Sequence, residues 1–350
     1  SEMCIRDRHR PGQWIVEKDW PSTEIKHAKF YLTSNGILGG DASELNNIIK
    51  SPATCGFGAS SYFPMSSSVP EQSGDQRADD TYSLCFDGNP SKTTIDIVGR
   101  PKIKLTLKSD NQCGHLCVRL CDVSPEGSST RITYGLLNLA HRESHENPTP
   151  IPVDKEFSIE LELDQIAYRL LPENKVRISL SNAYWPLVWP VAEQATLTLV
   201  KGELLLPIRQ KSDKPEYVFS DPEVASPWSR KIIKEPSYSN KIITDQMTNA
   251  VTIEIFDDYG IVEDNNHGLQ IGTVVREAFS IHPNDPLCAS GHIHWTQTLA
   301  RNKWNIRTEA YTSLTSDKNN FYMTAKIKAF EEEKLIFEKE FKETIKRSFH

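Results

Sequence analysis

The residues able to attack a carbonyl are the first to examine. A serine nucleophile of the hydrolase type sits in G-x-S-x-G at a sharp strand-to-helix turn, because only small flanking residues tolerate that backbone. Gly58-Ala59-Ser60-Ser61-Tyr62 comes near this pattern and fails it, since Tyr62 stands at the second glycine position and no buried strand pattern precedes it. An H-G-G-G oxyanion loop, an H-E-x-x-H helix, a G-x-G-x-x-G turn and a Walker loop are all missing from the sequence. No residue of this chain is expected to be catalytic, and no cofactor is expected.

Metal-binding patterns are equally thin. His292-Ile293-His294 places two imidazoles on one strand face, which starts a metal site only if further ligands join it. The alternative is a pair of polar-face histidines flanking a buried Ile293. Asp264-Asn265-Asn266-His267-Gly268 has the oxygen donors of a cation loop but lacks the bidentate glutamate of an EF-hand, so a hairpin turn is the simpler reading. Cys113, Cys117 and Cys121 are spaced by four, which on a strand puts all three on one face as small buried hydrophobes. A zinc site there needs a fourth ligand and a turn. No metal is expected. Seven cysteines, an odd number without a secretory leader, read as reduced thiols in a cytoplasmic protein.

Ser181-Asn-Ala-Tyr184-Trp185-Pro-Leu-Val-Trp189-Pro190 is richer in aromatics than a solvated loop. Tyr184, Trp185 and Trp189 either cap a sheet or pack on a partner domain, or else they stack on carbohydrate. Packing is favoured, because strand alternation resumes at Ala195.

The elements that must position these residues are strands. Ile103–Lys108, Phe157–Leu163, Lys175–Ser181 and Ala195–Val200 alternate apolar and polar residues, as half-buried strands do. His115–Asp122 and Arg131–Leu139, joined through Val123-Ser-Pro-Glu-Gly127, read as a hairpin. Such strands with long connections suggest two packed antiparallel sheets of jelly-roll type. Between Leu206 and Tyr238 alternation stops and prolines recur, marking a boundary or an extended segment. Beyond it, long apolar-polar runs joined by hairpin-sized links read as an up-and-down meander with one polar face. Lys334–Phe341 reads as the last strand, although the composition of Glu331 to Lys346 also suits a helix.

Composition excludes several classes of function. The formal charge of −7 with scattered Lys and Arg leaves no electrostatic footprint for nucleic acid or anionic lipid. No run approaches the roughly 18 apolar residues that a membrane helix needs.

The order of several motifs carries a resemblance. Gly74-Asp-Gln-Arg-Ala-Asp-Asp-Thr-Tyr-Ser-Leu-Cys-Phe86, Ile97–Leu107, Val118–Gly127, Gly135-Leu-Leu-Asn-Leu-Ala-His-Arg-Glu143 and Leu171–Pro186 follow one another over roughly Trp14 to Pro207. This region resembles the C-terminal part of the X-Pro dipeptidyl-peptidase and CocE/NonD (peptidase S15-like) serine hydrolases. The resemblance implies a jelly-roll (galactose-binding-like) β-sandwich that packs on an upstream α/β-hydrolase domain carrying a Ser-Asp-His triad. No triad position carries over to this chain. It further implies that a jelly-roll loop approaches the active-site cleft, making Phe57, Tyr62 and Phe63 candidate pocket-wall residues; ordinary packing of these aromatics on a sheet edge is the alternative.

The expected organisation is an all-β chain. Residues 1–8 read as a cloning or assembly scar, 9–207 as the jelly roll, 208–238 as a Pro-rich linker, and 239–350 as an antiparallel β-meander of unassigned role. The expected function is that of a non-catalytic portion of an ester- or prolyl-peptide-cleaving hydrolase, shaping its pocket and its domain and oligomer packing. Its expected partners are the hydrolase domain and a further copy of itself, not nucleic acid or membrane. A stand-alone module binding carbohydrate or another ligand is the alternative.

Overall fold

The structure, a computed structural model, describes residues 14–59, 74–210 and 219–349. It divides into one unit of the residues up to Phe219 together with Phe349, and a second spanning Ser220–Ser348. Tyr62 and Phe63, with Ser60 and Ser61, lie outside the described residues.

The first unit begins with β1 (Ile25–Leu32), β2 (Leu38–Gly39), β3 (Asn47–Ile49) and a five-residue helix, α1 (Arg77–Thr81). There follow β4 (Leu84–Asp87), β5 (Ile95–Gly99), β6 (Lys102–Ser109), β7 (His115–Val123) and β8 (Ser129–Asn138). The unit closes with β9 (Phe157–Glu162), β10 (Ile166–Leu170), β11 (Lys175–Ser181) and β12 (Leu197–Arg209). Two sheets result. In the larger, β12 is the backbone of the sheet, pairing with β1, β3, β5 and β6 along its length. The smaller has the order β4-β11-β7-β8.

Alternation explains how these sheets meet. Ile103, Leu105 and Leu107 of β6 and Leu197, Leu199, Leu204 and Leu206 of β12 point inward from one sheet. Leu116, Val118 and Leu120 of β7, with Val176, Ile178 and Leu180 of β11, meet them from the other. Intervening residues such as Lys104 and Lys108 stay at the surface and pair with Glu160 and Glu156. This is the two-layer sandwich that period-two patterning requires.

Strand β7 departs from simple alternation: all nine of its residues are buried. Its core face is apolar, so its other face, with Cys117, Arg119 and Cys121, must be covered by something outside the sandwich. Cys113 precedes the strand rather than sharing its face, because β7 starts at His115.

The second unit is a single eight-stranded antiparallel sheet. Its strands are β13 (Arg230–Lys234), β14 (Ser237–Thr244), β15 (Val251–Asp264), β16 (Gln270–His282), β17 (Asp285–Arg301), β18 (Trp304–Ser316), β19 (Asn320–Glu331) and β20 (Lys334–Lys346). The sheet therefore begins inside the stretch read as a linker, and β12 also runs past Pro207 into it. Prolines mislead there because Pro236 sits between β13 and β14, which pair in turn with the two halves of β15. Gly260, at φ +74, accommodates this break: a Cβ there would lie 2.2 Å from the Lys234 carbonyl oxygen.

The helical alternative for 331–346 gives way to strand. Glu332, at φ 52, makes the tight turn, and β20 then pairs with β19 along its length. The segment 264–268 is the expected hairpin turn, with Asp264 accepting from the Asn266 N–H at 2.7 Å.

Register sorts the meander's two faces. Phe256, Arg276, His294, Tyr311, Lys326 and Glu340 line up across one face, and Ile253, Phe279, Gly291, Leu314 and Met323 across the other. The second row belongs to the apolar face, which buries Val251, Ile253, Val275 and Ile281 near β15 and β16. Glu277 lies on this apolar face opposite Ile293, and its burial raises the carboxyl pKa. His294 stacks on Tyr311 at 4.1 Å on the polar face. No helix among the described residues is long and apolar enough to cross a membrane.

Candidate functional site

The cover over the outer face of β7 is a polar layer joined by buried hydrogen bonds and an ion pair. It is built from α1, the 51–59 segment and the Tyr184–Trp189 loop. Arg119 projects from β7 and is completely buried. Its Nη1 donates to Gln76 Oε1 at 3.0 Å, and its Nη2 reaches Ser83 Oγ at 2.9 Å and Asp80 Oδ1 at 3.0 Å.

Asp80 is the anion that answers this buried cation. Its Oδ1 also accepts from Ser179 Oγ at 2.8 Å, while its Oδ2 accepts from Ser129 Oγ at 2.7 Å and Arg177 Nη1 at 3.0 Å. Four donors occupy its lone pairs, which leaves no capacity for general-base work. Burial opposes the Arg119 charge, but the facing Asp80 carboxylate supports it, and its pKa is raised. Arg177 is raised chiefly by its hydrogen bond to Asp87.

Asp79 and Gln76 use the same short helix to hold a loop. Asp79 Oδ1 accepts from the Gly56 N–H at 2.8 Å and Oδ2 from the Gly58 N–H at 3.0 Å. Gln76 Nε2 donates to the Gly58 and Gly74 carbonyls at 3.0 and 2.9 Å, drawing together residues that flank the 59–73 segment. Burial raises the Asp79 pKa, against the pull of those two N–H groups and Arg119. Helix α1 is thus a clamp: one face grips the sandwich through Asp80, the other grips the 53–58 turn through Asp79.

Phe57 rides on that turn, half-buried, with its ring edge-on to Tyr82 at 6.3 Å. Of the candidate pocket-wall residues, it alone falls among those described. The clamp fixes its backbone on both sides, at Gly56 and at Gly58.

The aromatic segment after β11 points inward. Tyr184 is 2% exposed and Trp185 only 1%, so neither offers a face for a sugar to stack on. Tyr184 packs with Ala59 and Cys117 in a small outer core, and its hydroxyl accepts from Arg131 Nη1 at 2.5 Å. The Trp185 backbone N–H donates to the Cys55 carbonyl at 2.7 Å, and the indole ring meets Trp189 edge-on at 5.4 Å. These residues cap the outer face of the smaller sheet, with the 51–59 segment over them.

Buried thiols complete the layer. Burial pushes Cys55 and Cys121 up to about 12 and raises Cys117 as well, which leaves them as thiols at neutral pH. Cys288 of the second unit is exposed. Maleimide treatment of the native chain at pH 7.5, about one unit below an ordinary thiol pKa, is expected to modify Cys288 ahead of the buried thiols, although partial burial raises its pKa. Cys55, Cys117 and Cys121 are expected to react only on unfolding. Peptide mass mapping of a time course checks this, and early labelling of Cys117 would contradict the closed outer layer.

Sequence reading alone passed over Gln76, Asp79, Asp80 and Arg119 as individuals. A signal exists for Arg119, which is a charge within the otherwise apolar run Leu116-Cys-Val-Arg-Leu-Cys121.

The fold and this clamp define an accessory β-sandwich whose polar machinery holds a loop. Residues 3–240 match the model of the X-Pro dipeptidyl-peptidase C-terminal non-catalytic domain, and the chain belongs to that family. The cocaine esterase of Rhodococcus sp. (strain MB1 Bresler) is 21% identical over 189 residues, covering 50% of this chain and 33% of the esterase. Among solved structures, an aminopeptidase from a marine sediment archaeon (Thaumarchaeota archaeon) has a TM-score of 0.50 and 18% identity, over 56% of this chain and 39% of that one. A CocE/NonD family hydrolase from Staphylococcus aureus has a TM-score of 0.44 and 13% identity, with 57% and 39% covered. The chain spans about a third of the curated relative it matches.

Proposed function

We propose that this chain is the non-catalytic C-terminal part of a CocE/NonD-type serine hydrolase that cleaves an ester or an amide after proline. An α/β-hydrolase domain in the longer protein supplies the nucleophile, and acyl transfer runs through its serine. The first unit packs on that domain and offers the 53–58 turn, with Phe57, to the acyl pocket. The observation that carries this reading is the clamp. Asp79 and Gln76 commit buried polar groups to holding one short turn, an investment that suits a loop whose position matters. Cys55, Cys117 and Cys121 are buried as protonated thiols, which suits a reducing, cytoplasmic setting.

Fluorophosphonate treatment followed by intact mass, beside a chromogenic ester assay, tests the proposal. The chain by itself is expected to show neither adduct nor turnover, and covalent labelling with turnover would overturn it. In a chain extended to include the hydrolase domain, one adduct is expected. There Phe57→Ala should shift the kcat/KM preference between large and small acyl esters by about tenfold, in the range a hydrophobic pocket contact provides. An unchanged preference would remove the turn from the pocket.

A further inference from the structure

The second unit carries an edge that fits its own copy. Strand β20 is thirteen residues long, ends the sheet on one side and is exposed at every position. It contains no proline, so it has a backbone N–H at every residue. Long unpaired edges of this kind add further strands unless something prevents it. The opposite edge differs, because Glu235-Pro236 interrupts it between β13 and β14.

The sequence of β20 has a symmetry that hairpin formation does not require. Around Phe341 the residues read Lys339-Glu340-Phe341-Lys342-Glu343. Reversing the order exchanges every lysine with a glutamate. An antiparallel copy centred on Phe341 therefore sets Glu340 against Lys342 and Lys339 against Glu343, twice each by symmetry. Phe337 meets Ile345 and Phe341 meets Phe341.

We propose that two copies of this chain join edge to edge through β20, antiparallel, about a two-fold axis perpendicular to the sheet at Phe341. With that axis, directly opposed residues share a face, so the polar rows and the apolar rows both run on from one copy into the other. Phe337, Phe341 and Ile345, all about half exposed on the apolar face, become covered.

Each neighbouring register sets a like charge against itself at its centre, whereas the Phe341 register opposes no like charges. Centring on residue 339 or 342 opposes a lysine to itself, and centring on 340 or 343 opposes a glutamate to itself. Like charges directly opposite each other destabilise a strand pair. An edge protected by lysines alone would repel its copy in every register. This one carries a central like-charge opposition in the registers on either side and none at Phe341, which favours the Phe341 pairing over its neighbours. Glu340 already lies 3.1 Å from its own Lys342, and Lys326 pairs with Glu338 at 2.5 Å. The incoming strand thus turns each Glu340–Lys342 pair into part of an alternating four-charge cluster.

The inference rests on the second unit alone and stands or falls separately from the hydrolase reading. Its test is sedimentation or light scattering of the full chain across a concentration series. Wild type is expected to dimerise. Glu340→Lys and Lys342→Glu are each expected to weaken the dimer by about tenfold or more, since each turns two attractive cross-strand pairs repulsive. The double swap E340K/K342E restores every opposition with reversed sign, and is expected to return the affinity to within a few-fold of wild type. Thr344→Lys supplies a partner for Glu338 of the other copy and is expected to tighten the dimer, a gain that misfolding cannot imitate. A strictly monomeric wild type at the highest concentration would overturn the proposal. A dimer indifferent to the single reversals, or a double swap as weak as either single variant, would do so as well.

Discussion

Replacing Asp80 with alanine is expected to destabilise the first unit by about 3–5 kcal/mol, the range for a buried charge left without its partner. Asp80 accepts from Arg119, Arg177, Ser129 and Ser179, and these donors differ in what remains to them. Arg177 keeps Asp87, whose carboxylate it grips at 2.6 and 2.9 Å. Arg119 keeps only neutral acceptors, Gln76 and Ser83, in an interior that excludes water. Its charge then has no carboxylate in direct hydrogen-bond contact, and that dominates the loss. Glu160→Ala breaks an ion pair to Lys104 of similar length, 3.2 Å, but both partners are about half exposed there. The expected change is below about 1 kcal/mol. Denaturant titrations of the two variants, followed by far-UV circular dichroism and fitted for the transition of the first unit, compare them directly. Equal effects would mean that water or another anion reaches Arg119 in the folded chain.

That contrast also shows which features of the molecule a linear reading captures. The strands at 103–108, 157–162 and 175–181 were legible because alternation is local: each residue's face follows from its neighbours. The sequence of β20 reads as a strand from Lys334 to Phe341 against a helical alternative, since its Lys- and Glu-rich composition suits either, and pairing with β19 decides for strand and extends it to Lys346. The 208–238 stretch misled for the opposite reason. Its prolines do interrupt pairing, but one of them merely separates two strands along the same neighbour.

The clamp was illegible because its members meet across long separations. Arg119 and Gln76 lie 43 positions apart, and Ser179 and Asp80 lie 99 apart. The Tyr184–Trp189 segment was conspicuous for its aromatic content, yet composition does not say which way rings point. Their direction is set by Gly56 and Cys55, which approach from a segment more than a hundred residues earlier and close over them. The Phe57 turn owed its selection to resemblance with a family, and the residues that fix it come from α1.

Gly56→Ala is the second variant with a large expected effect, and it acts on the same layer from the opposite side. Gly56 has φ +110, a conformation that strains any residue with a side chain. A Cβ built there would lie 2.6 Å from the Trp185 nitrogen, 2.6 Å from the Tyr184 carbonyl carbon and 2.7 Å from the Trp185 carbonyl oxygen. All three are backbone atoms, so no rotamer change relieves the contact. The 51–59 segment must lift instead. Lifting it breaks the Trp185 N–H bond to Cys55 and the Gly56 N–H bond to Asp79, which is then buried with less support for its charge. The combined loss is expected to be at least about 3 kcal/mol, from backbone strain together with the broken buried bonds. Gly40→Ala, where nothing lies within 4 Å of the added methyl, is expected to stay within about 0.5 kcal/mol of wild type. Two readouts separate lifting from general unfolding. Cys55 should become reactive to maleimide while Cys121, beneath α1, stays protected, and in the hydrolase-extended chain the acyl preference should move as it does for Phe57→Ala. Loss of stability with Cys55 still protected would show that the strain is absorbed inside the turn, and that the clamp holds Phe57 in place without the close approach of Gly56 to Trp185.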